Sequence, residues 1–360
     1  MKRKLAIIFL AGCIAAGAFS GCSKNNAPVA DASQNTDLAD KVTDENSVED
    51  SGNAYSSCLK AIDAIEDAKS ATIDSELIFT MTYEGETRSM KQHFNLKREN
   101  TDDSKRLEYD LKATSTVEKG ENAETDGDAD KAENTENETN GYFSDGTLYQ
   151  EIPQNSDVDS DNKEPIYLKA EAEYDEVKAY VLSMANYVAD DITEEHVKTA
   201  AMEEKNGGTQ YIYILDDEKM VSYMEDFMSY YMGLALSENE TVEINYANIS
   251  ANLDPSGNLT DYTFSLDTVI KTDEGDIPFS YNIASKFSNI DSTSVKERSE
   301  DELSKYITED EYMAQQSGGV ESGTADGSEP TGQKLSPEEM EEMGLDPELY
   351  DAEIITEAAK

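Results

Sequence analysis

Apolar residues in the first third of the chain follow first a helical spacing and then a strand spacing. The helical set recurs every three or four residues and predicts an amphipathic helix: Tyr55, Cys58, Leu59, Ile62 and Ile65. Apolar and polar residues then alternate in the runs 73–83, 90–96 and 107–117. Alternation with period two is typical of strands that bury one face, so we predict an antiparallel meander. Arg88, Lys91 and Lys97 are expected to lie in water beside it.

The pattern continues with a hairpin, two helices and further strands. Asp145-Gly146 lies between the aromatic positions Tyr142 and Tyr149, and both central residues of such a turn adopt positive φ readily. The predicted helices cover 174–188 and 219–236, and the predicted strands cover 197–203, 209–215, 241–253, 259–271 and 277–287. This order predicts one α+β domain over 54–312, in which a strongly curved antiparallel sheet, a half-open barrel, wraps over helices.

Four segments lack the large apolar residues that a core requires. They are a tether over 22–53, acidic insertions near 119–140 and 154–164, and an acidic tail over 313–360. Segments of this composition bury too little surface to offset the entropy of ordering, so we expect all four to be disordered.

Residues 1–21 have the parts of a secretory signal peptide: basic residues, an apolar run and a small-residue end. The apolar run, 5–19, is too short to span a bilayer. Ser20 and Gly21 precede Cys22, and this arrangement resembles the lipobox of bacterial lipoproteins. The resemblance implies cleavage before Cys22, a lipid on its thiol, and a cell-membrane location that faces the extracytoplasmic side. An ordinary signal peptide with an incidental cysteine is the alternative.

The net charge of the chain excludes some classes of partner. The chain has 78 acidic and 29 basic side chains, for a formal charge of -49. Nucleic acid and anionic lipid head groups both require basic patches, so we expect no nucleic-acid partner, and membrane attachment must come from acyl chains. Weak association of divalent cations with the acidic loops remains open.

A defined metal site is not expected from the sequence. Asp157, Asp159 and Asp161 alternate as in the start of a calcium loop, but Asn162 and Leu168 occupy the positions that require Gly and Glu. We therefore predict no metal site and no cofactor.

Catalysis has little support in the sequence. His93 and His196 lack a neighbouring nucleophile motif, and the chain has no G-x-S-x-G, H-E-x-x-H or P-loop pattern. Cys58 lies on the apolar face of the first predicted helix, which favours a place in the core. We predict a protein that is not an enzyme.

The element order, the hairpin 142–149 and the turn 253–260 resemble a family of bacterial lipoproteins with the fold of LolA, LppX and LprG. The resemblance covers 54–288 and implies an incomplete barrel, with helices across its mouth, that encloses an apolar cavity for acyl chains. It therefore implies non-catalytic binding or carriage of a lipid or other amphiphile. The alternative is a structural or protein-interaction module of the cell envelope with a solid core.

The candidate ligand-binding residues lie on the helix predicted over 219–236. They form a stripe of methionine and aromatic side chains: Met220, Met224, Phe227, Met228 and Tyr231. Methionine is flexible and polarisable, which suits a wall that adapts to lipid chains. The same spacing is also typical of the core face of a helix packed on a sheet, so both interpretations remain open.

Overall fold

The computed structural model describes residues 37–83, 86–119, 133–153, 165–205, 207–231, 240–273 and 275–317. Within these ranges the strands are β1 (Ser70–Tyr83), β2 (Glu86–Asn100), β3 (Lys105–Lys119), β4 (Glu133–Ser144), β5 (Thr147–Ile152), β6 (Ile166–Glu171), β7 (Val197–Lys205), β8 (Gly208–Leu215), β9 (Thr241–Leu253), β10 (Leu259–Thr272) and β11 (Gly275–Ser288). The helices are α1 (Ser51–Asp67), α2 (Tyr174–Ala185), α3 (Asp217–Tyr231), α4 (Glu300–Leu303) and α5 (Glu309–Ser317).

The eleven strands form a single antiparallel sheet in the order β6-β5-β4-β3-β2-β1-β11-β10-β9-β8-β7. The first meander, β1 to β6, joins the last, β7 to β11, because β1 pairs with β11 from Thr72 opposite Ser288 to Met81 opposite Phe279. The outermost strands, β6 and β7, lie at opposite ends of this order, so the sheet is curved but not closed. The expectation of a curved antiparallel sheet combined with helices is confirmed at this level.

Helices α1, α2 and α3 pack on the same face of the sheet, which we call the inner face. Each of them places an aromatic ring against a ring of a strand, with centroids 5.0–5.9 Å apart: Tyr55 on Tyr213, Tyr174 on Phe143, and Phe227 on Phe279. The buried apolar side chains of the inner face and the helices form a single contiguous cluster. One core therefore serves both meanders.

Arg98 fixes the end of α1 to the sheet. Its side chain comes from β2, is only 1% exposed, and lies against the last turn of the helix. Its Nη1 donates to the Ala68 carbonyl at 2.6 Å, and its Nη2 donates to the carbonyls of Glu66, at 3.0 Å, and Ile65. A cation at this position binds carbonyls that have no partner within the helix and complements the negative end of the helix dipole.

The expected tether over 22–53 is wrong for its second half. A 3-10 turn covers Ala39–Lys41, and Ser47 forms an antiparallel bridge with Ala201 on edge strand β7. Leu38 is buried, and it packs with Ala201 and Ile212 on the outer face of the sheet. The described fold therefore begins before residue 54, because an edge strand offers unpaired backbone groups that even a polar segment can bind. Residues 22–36 lie outside the described ranges.

The expectation of a disordered insertion near 119–140 is wrong for 133–140. These residues belong to β4, which pairs with β3 from Arg106 opposite Ser144 to Val117 opposite Glu133. A backbone ladder satisfies hydrogen bonds whatever the side chains are, so a polar sequence can extend a strand that a partner already supports. Residues 120–132 and the second insertion, 154–164, lie outside the described ranges.

The C-terminal part of the domain contains elements that the sequence analysis missed. Ile307 bridges Leu168 on β6, donates its N–H to the Tyr167 carbonyl at 3.1 Å, and accepts from the Lys169 N–H at 2.9 Å. This segment covers one edge of the sheet, as the segment around Ser47 covers the other, and covered edges oppose strand-to-strand aggregation. The compact unit runs to Tyr312, and α5 continues to Ser317; residues 318–360 of the expected tail lie outside the described ranges.

The Asp-Gly hairpin between β4 and β5 is confirmed. Asp145 has φ of 51° and Gly146 has φ of 75°, so both central residues adopt the left-handed region that a tight two-residue turn requires.

We predict that Gly141→Ala destabilises the fold. Gly141 lies opposite Tyr109 in the sheet, and a Cβ atom at Gly141 would overlap the ring of Tyr109, which is 2% exposed. Overpacking of this kind should lower the free energy of unfolding by about 3 kcal/mol, measured by urea denaturation. Gly52→Ala is the control, because a Cβ there meets nothing closer than 3.8 Å, so this variant should be neutral or slightly stabilising. Equal effects of the two changes would contradict the predicted clash.

Candidate functional site

The methionine stripe is set by the start of α3. Asp216 caps the helix, because its Oδ1 accepts from the N–H groups of Glu218 at 3.1 Å and Lys219 at 3.2 Å. The next residues then follow a four-residue spacing that gives one helix face: Met220, Met224 and Met228. This face points to the sheet, and the three side chains are 0–4% exposed.

The structure separates the predicted ligand-binding residues into two groups. Met220, Met224 and Met228 belong to the core cluster, which is the position expected of the core face of a helix. Phe227 is only half-buried, and its ring contacts those of Phe279 and Tyr281 with centroids 5.9 and 5.1 Å apart. The side chain of Tyr231 lies outside the described part of the chain, as does Cys22.

Phe227 lies at an end of the inner face where the apolar side chains are less deeply buried. We call this set the apolar rim. It consists of half-buried residues that pack against the core: Phe79, Met81, Met90, Phe227, Val242, Ile244 and Ile277. Further along the same face, Ile73, Phe94 and Phe264 are 0% exposed. The apolar rim is therefore more exposed than the middle of the inner face.

Strand register places a mixed row of side chains at the apolar rim. Residues directly opposite each other on paired strands share a face, and the row across β9, β10, β11, β1, β2 and β3 is Ile244, Thr268, Phe279, Met81, Arg88 and Val117. Most of these positions are apolar, but the row includes one guanidinium and one hydroxyl.

Arg88 is the polar group with the greater exposure in this row. Its Nη2 lies 3.4 Å from Oε2 of Glu86, and the two side chains are 53% and 33% exposed. The expectation that Arg88 lies in water fits this exposure, but the sequence analysis did not assign it to the inner face. The signal was available, since Arg88 precedes Met90 by two residues and therefore shares its face.

Thr268 contributes a buried hydroxyl to the same row. The residue is 1% exposed, and its Oγ1 has no hydrogen-bond partner among the described residues. An unpaired buried hydroxyl lowers stability, because the group has lost its water without gaining a protein partner.

A cleft of about 460 Å³ lies elsewhere, beside the outer face of β3 and β5. Its walls include two ion pairs, Arg298 with Glu108 and Lys305 with Glu151, both at 3.1 Å. Tyr306 joins the pairs, since its hydroxyl donates to Glu151 at 2.7 Å and accepts from Arg298 at 3.3 Å. Because these charged side chains pair with each other and with Tyr306, they hold the C-terminal segment on the sheet.

The two histidines and Cys58, which the sequence analysis considered for catalysis, each take part in holding the fold together. Nε2 of His93 lies 3.0 Å from Oδ1 of Asp74 on the outer face, and this hydrogen bond raises the pKa of the imidazole. His196 takes part in the capping of its own turn, with Nδ1 3.1 Å from the N–H of Thr193. Cys58 is buried in the core, as expected, and burial raises the pKa of its thiol to about 12. Within the described ranges, no three His, Cys, Asp or Glu side chains are grouped so that they could hold a metal ion.

Comparison with known proteins gives no match, either to a protein-family model or to a curated protein. The resemblance to the LolA, LppX and LprG lipoproteins therefore stays a prediction. Among the helices that the structure describes, none is both long and apolar enough to cross a membrane.

We predict that Thr268→Val leaves the fold intact and stabilises it. Valine has a similar shape, so the change removes an unpaired hydroxyl and should raise the free energy of unfolding by about 1 kcal/mol in urea denaturation. Thr80→Val is the matched control, because Oγ1 of Thr80 lies 3.2 Å from Oγ of Ser89 and that hydrogen bond would be lost. A greater loss of stability for Thr268→Val than for Thr80→Val would contradict the assignment.

Proposed function

We propose that the protein is a lipid-anchored lipoprotein of the extracytoplasmic side of the cell membrane, and that it binds or carries a lipid or other amphiphile without catalysis. The ligand would lie at the apolar rim, the open end of a LolA-like half-open barrel. The anchor would be the acylated thiol of Cys22.

The observation that carries this proposal is the apolar rim itself. Phe79, Met81 and Met90 alternate along paired strands on the face that otherwise forms the core, yet each keeps part of its surface in water. A group of partly exposed apolar side chains is typical of interaction surfaces and ligand-binding grooves, and burial of their surface supplies about 25 cal/mol per Å². The side chains of Met81 and Met90 can also adapt to chains of irregular shape.

The anchor would hold the domain near the bilayer. The described fold begins at Asp37, so the segment from Cys22 spans no more than about 50 Å even when fully extended. A polyanion of charge -49 gains nothing from anionic head groups, so attachment would depend on acyl chains, each buried CH₂ contributing about 0.8 kcal/mol.

For the anchor, we predict that Cys22→Ser releases the protein from the membrane. The wild-type chain, expressed in bacteria fed an alkyne-tagged fatty acid, should incorporate the label and sediment with membranes, because its thiol is acylated. The Cys22→Ser chain should lack the label and appear in the soluble fraction. Cys58→Ser is the control and should keep both label and location. An unlabelled wild-type chain found free in the medium would refute the anchor.

For the ligand, we predict that the Cys22→Ser full chain binds dodecanol, and that Met90→Gln in this background weakens binding about fivefold. Replacing an apolar contact with an amide of similar length removes about 1 kcal/mol of hydrophobic burial. Isothermal titration calorimetry measures the affinity, and native mass spectrometry measures the stoichiometry. Met202→Gln is the control, since Met202 is 48% exposed on edge strand β7 and should not affect binding. A folded chain that binds no amphiphile would refute carriage.

The second candidate is a structural or protein-interaction module of the cell envelope. The observation that favours it is the complete burial of Met220 and Met224, which fill the core under α3. The same titration separates the two candidates, because a module with a filled core should remain folded and bind no dodecanol. Weak association of divalent cations with the acidic segments remains a prediction under either candidate.

A further inference from the structure

We infer that the ligand of the apolar rim is a single-chain amphiphile with an anionic head group, and that Arg88 binds this head. The inference rests on the proposed function and specifies its ligand class. It concerns a residue that lies outside the stripe on α3.

The surroundings of Arg88 are those of a polar anchor within an apolar surface. In the row across the strands, Arg88 lies between Met81 on β1 and Val117 on β3, and Met90 follows it on the same face of β2. All three apolar neighbours are half-buried, whereas the guanidinium-bearing side chain is 53% exposed. A head group bound at Arg88 would therefore leave the attached chain on apolar side chains.

The half-buried side chains beside Arg88 indicate where the hydrocarbon tail would lie. Met81 lies opposite Arg88, and Phe79 lies opposite Met90 on the same pair of strands. Phe279 and Thr268, the next members of the row, are 2% and 1% exposed, so the tail would lie on Met81, Met90 and Phe79 and not beyond them. Phe79 stacks edge-on against Phe279 in the neighbouring position, with centroids 5.1 Å apart, and widens the apolar surface.

The guanidinium of Arg88 favours an anionic head group on the ligand. Arginine presents paired N–H donors that match carboxylate and phosphate oxygens, and charge-assisted hydrogen bonds of this kind are roughly twice as strong as neutral ones. The present partner, Glu86, is a weak competitor, because its oxygen is 3.4 Å away and both side chains are substantially exposed. A ligand head that adds hydrocarbon contacts can replace it.

The acidic surroundings do not prevent this interaction. The chain carries a formal charge of -49, but at physiological ionic strength the field of distant carboxylates is screened over about 8 Å. The direct contact with Arg88 therefore decides whether the site favours an anion over a neutral head.

The experiment compares dodecanoate with dodecanol at neutral pH, below their aggregation concentrations, by isothermal titration calorimetry on the Cys22→Ser full chain. Dodecanoate should bind about tenfold more tightly, which corresponds to one charge-assisted hydrogen bond. Arg88→Gln should remove this preference by weakening dodecanoate binding about tenfold, so that the two probes bind with similar affinity. Arg88→Lys should retain part of the preference, and Glu86→Gln should increase it, because the competing carboxylate is gone.

Arg106→Gln is the matched control. Arg106 also forms an exposed ion pair, with Glu297 at 2.9 Å, but it lies on the outer face, so its removal should change neither affinity. Equal affinities for the two probes, unaffected by Arg88→Gln, would overturn the role of Arg88 and leave the proposed function standing. Binding of neither probe to the folded chain would overturn both. Dodecyl phosphate is a third probe that distinguishes the two kinds of anionic head group. It should bind more tightly than dodecanoate if the site is built for a phosphate, and no more tightly if the site is built for a carboxylate.

Discussion

The pairing of β1 with β11 is the constraint on which the rest of the structure depends. It joins residues about 200 positions apart, from Thr72 opposite Ser288 to Met81 opposite Phe279, and turns two meanders into one sheet. Without it, each meander would expose an edge and half of an apolar face. With it, α1, α2 and α3 share one contiguous core. Contacts of such long range must overcome a large loop-closure entropy, so their apolar pairs, such as Leu77 with Ile283, lie at the centre of the core.

Charged side chains and the apolar core lie in different parts of the fold. Among the described residues, the acidic side chains are exposed or half-buried except for Glu76, which is 6% exposed and pairs with Lys91 at 2.5 Å. Two buried polar side chains bind the backbone at helix ends: Arg98 binds the last carbonyls of α1, and Gln92 donates to the carbonyls of Met184 and Ala185 at the end of α2. Both helices are thus fixed to β2 at their C-termini, where carbonyls lack partners within the helix. The same strand continues to Arg88 at the apolar rim.

The apolar rim and the methionine stripe represent two degrees of burial on one continuous surface. Met220 and Met224 stabilise the core whether or not a ligand exists, because both side chains are 0% exposed. Phe227 and Met90 lie where the core meets water, so a ligand there would extend the core rather than enter a separate chamber. This continuity is the reason that one amphipathic helix supported two interpretations in the sequence. The difference between them depends on the exposure of particular side chains, which periodicity does not report.

The amino-acid sequence by itself determined the elements whose signals are local. Alternation gave β1, β2, β3 and β7 to β11 within a few residues, helical spacing gave α1, α2 and α3, and Asp145-Gly146 gave its hairpin, because side-chain direction and turn conformation depend on neighbouring residues. Only the tertiary structure decided that 133–140 extends a strand and that Leu38 and Ile307 pack at the sheet edges. The tertiary structure also decided that Arg98, on β2, binds the carbonyls at the end of α1. It also placed Arg88 beside Met81 at the apolar rim. These features require a partner far away in the chain, and no local pattern specifies that partner.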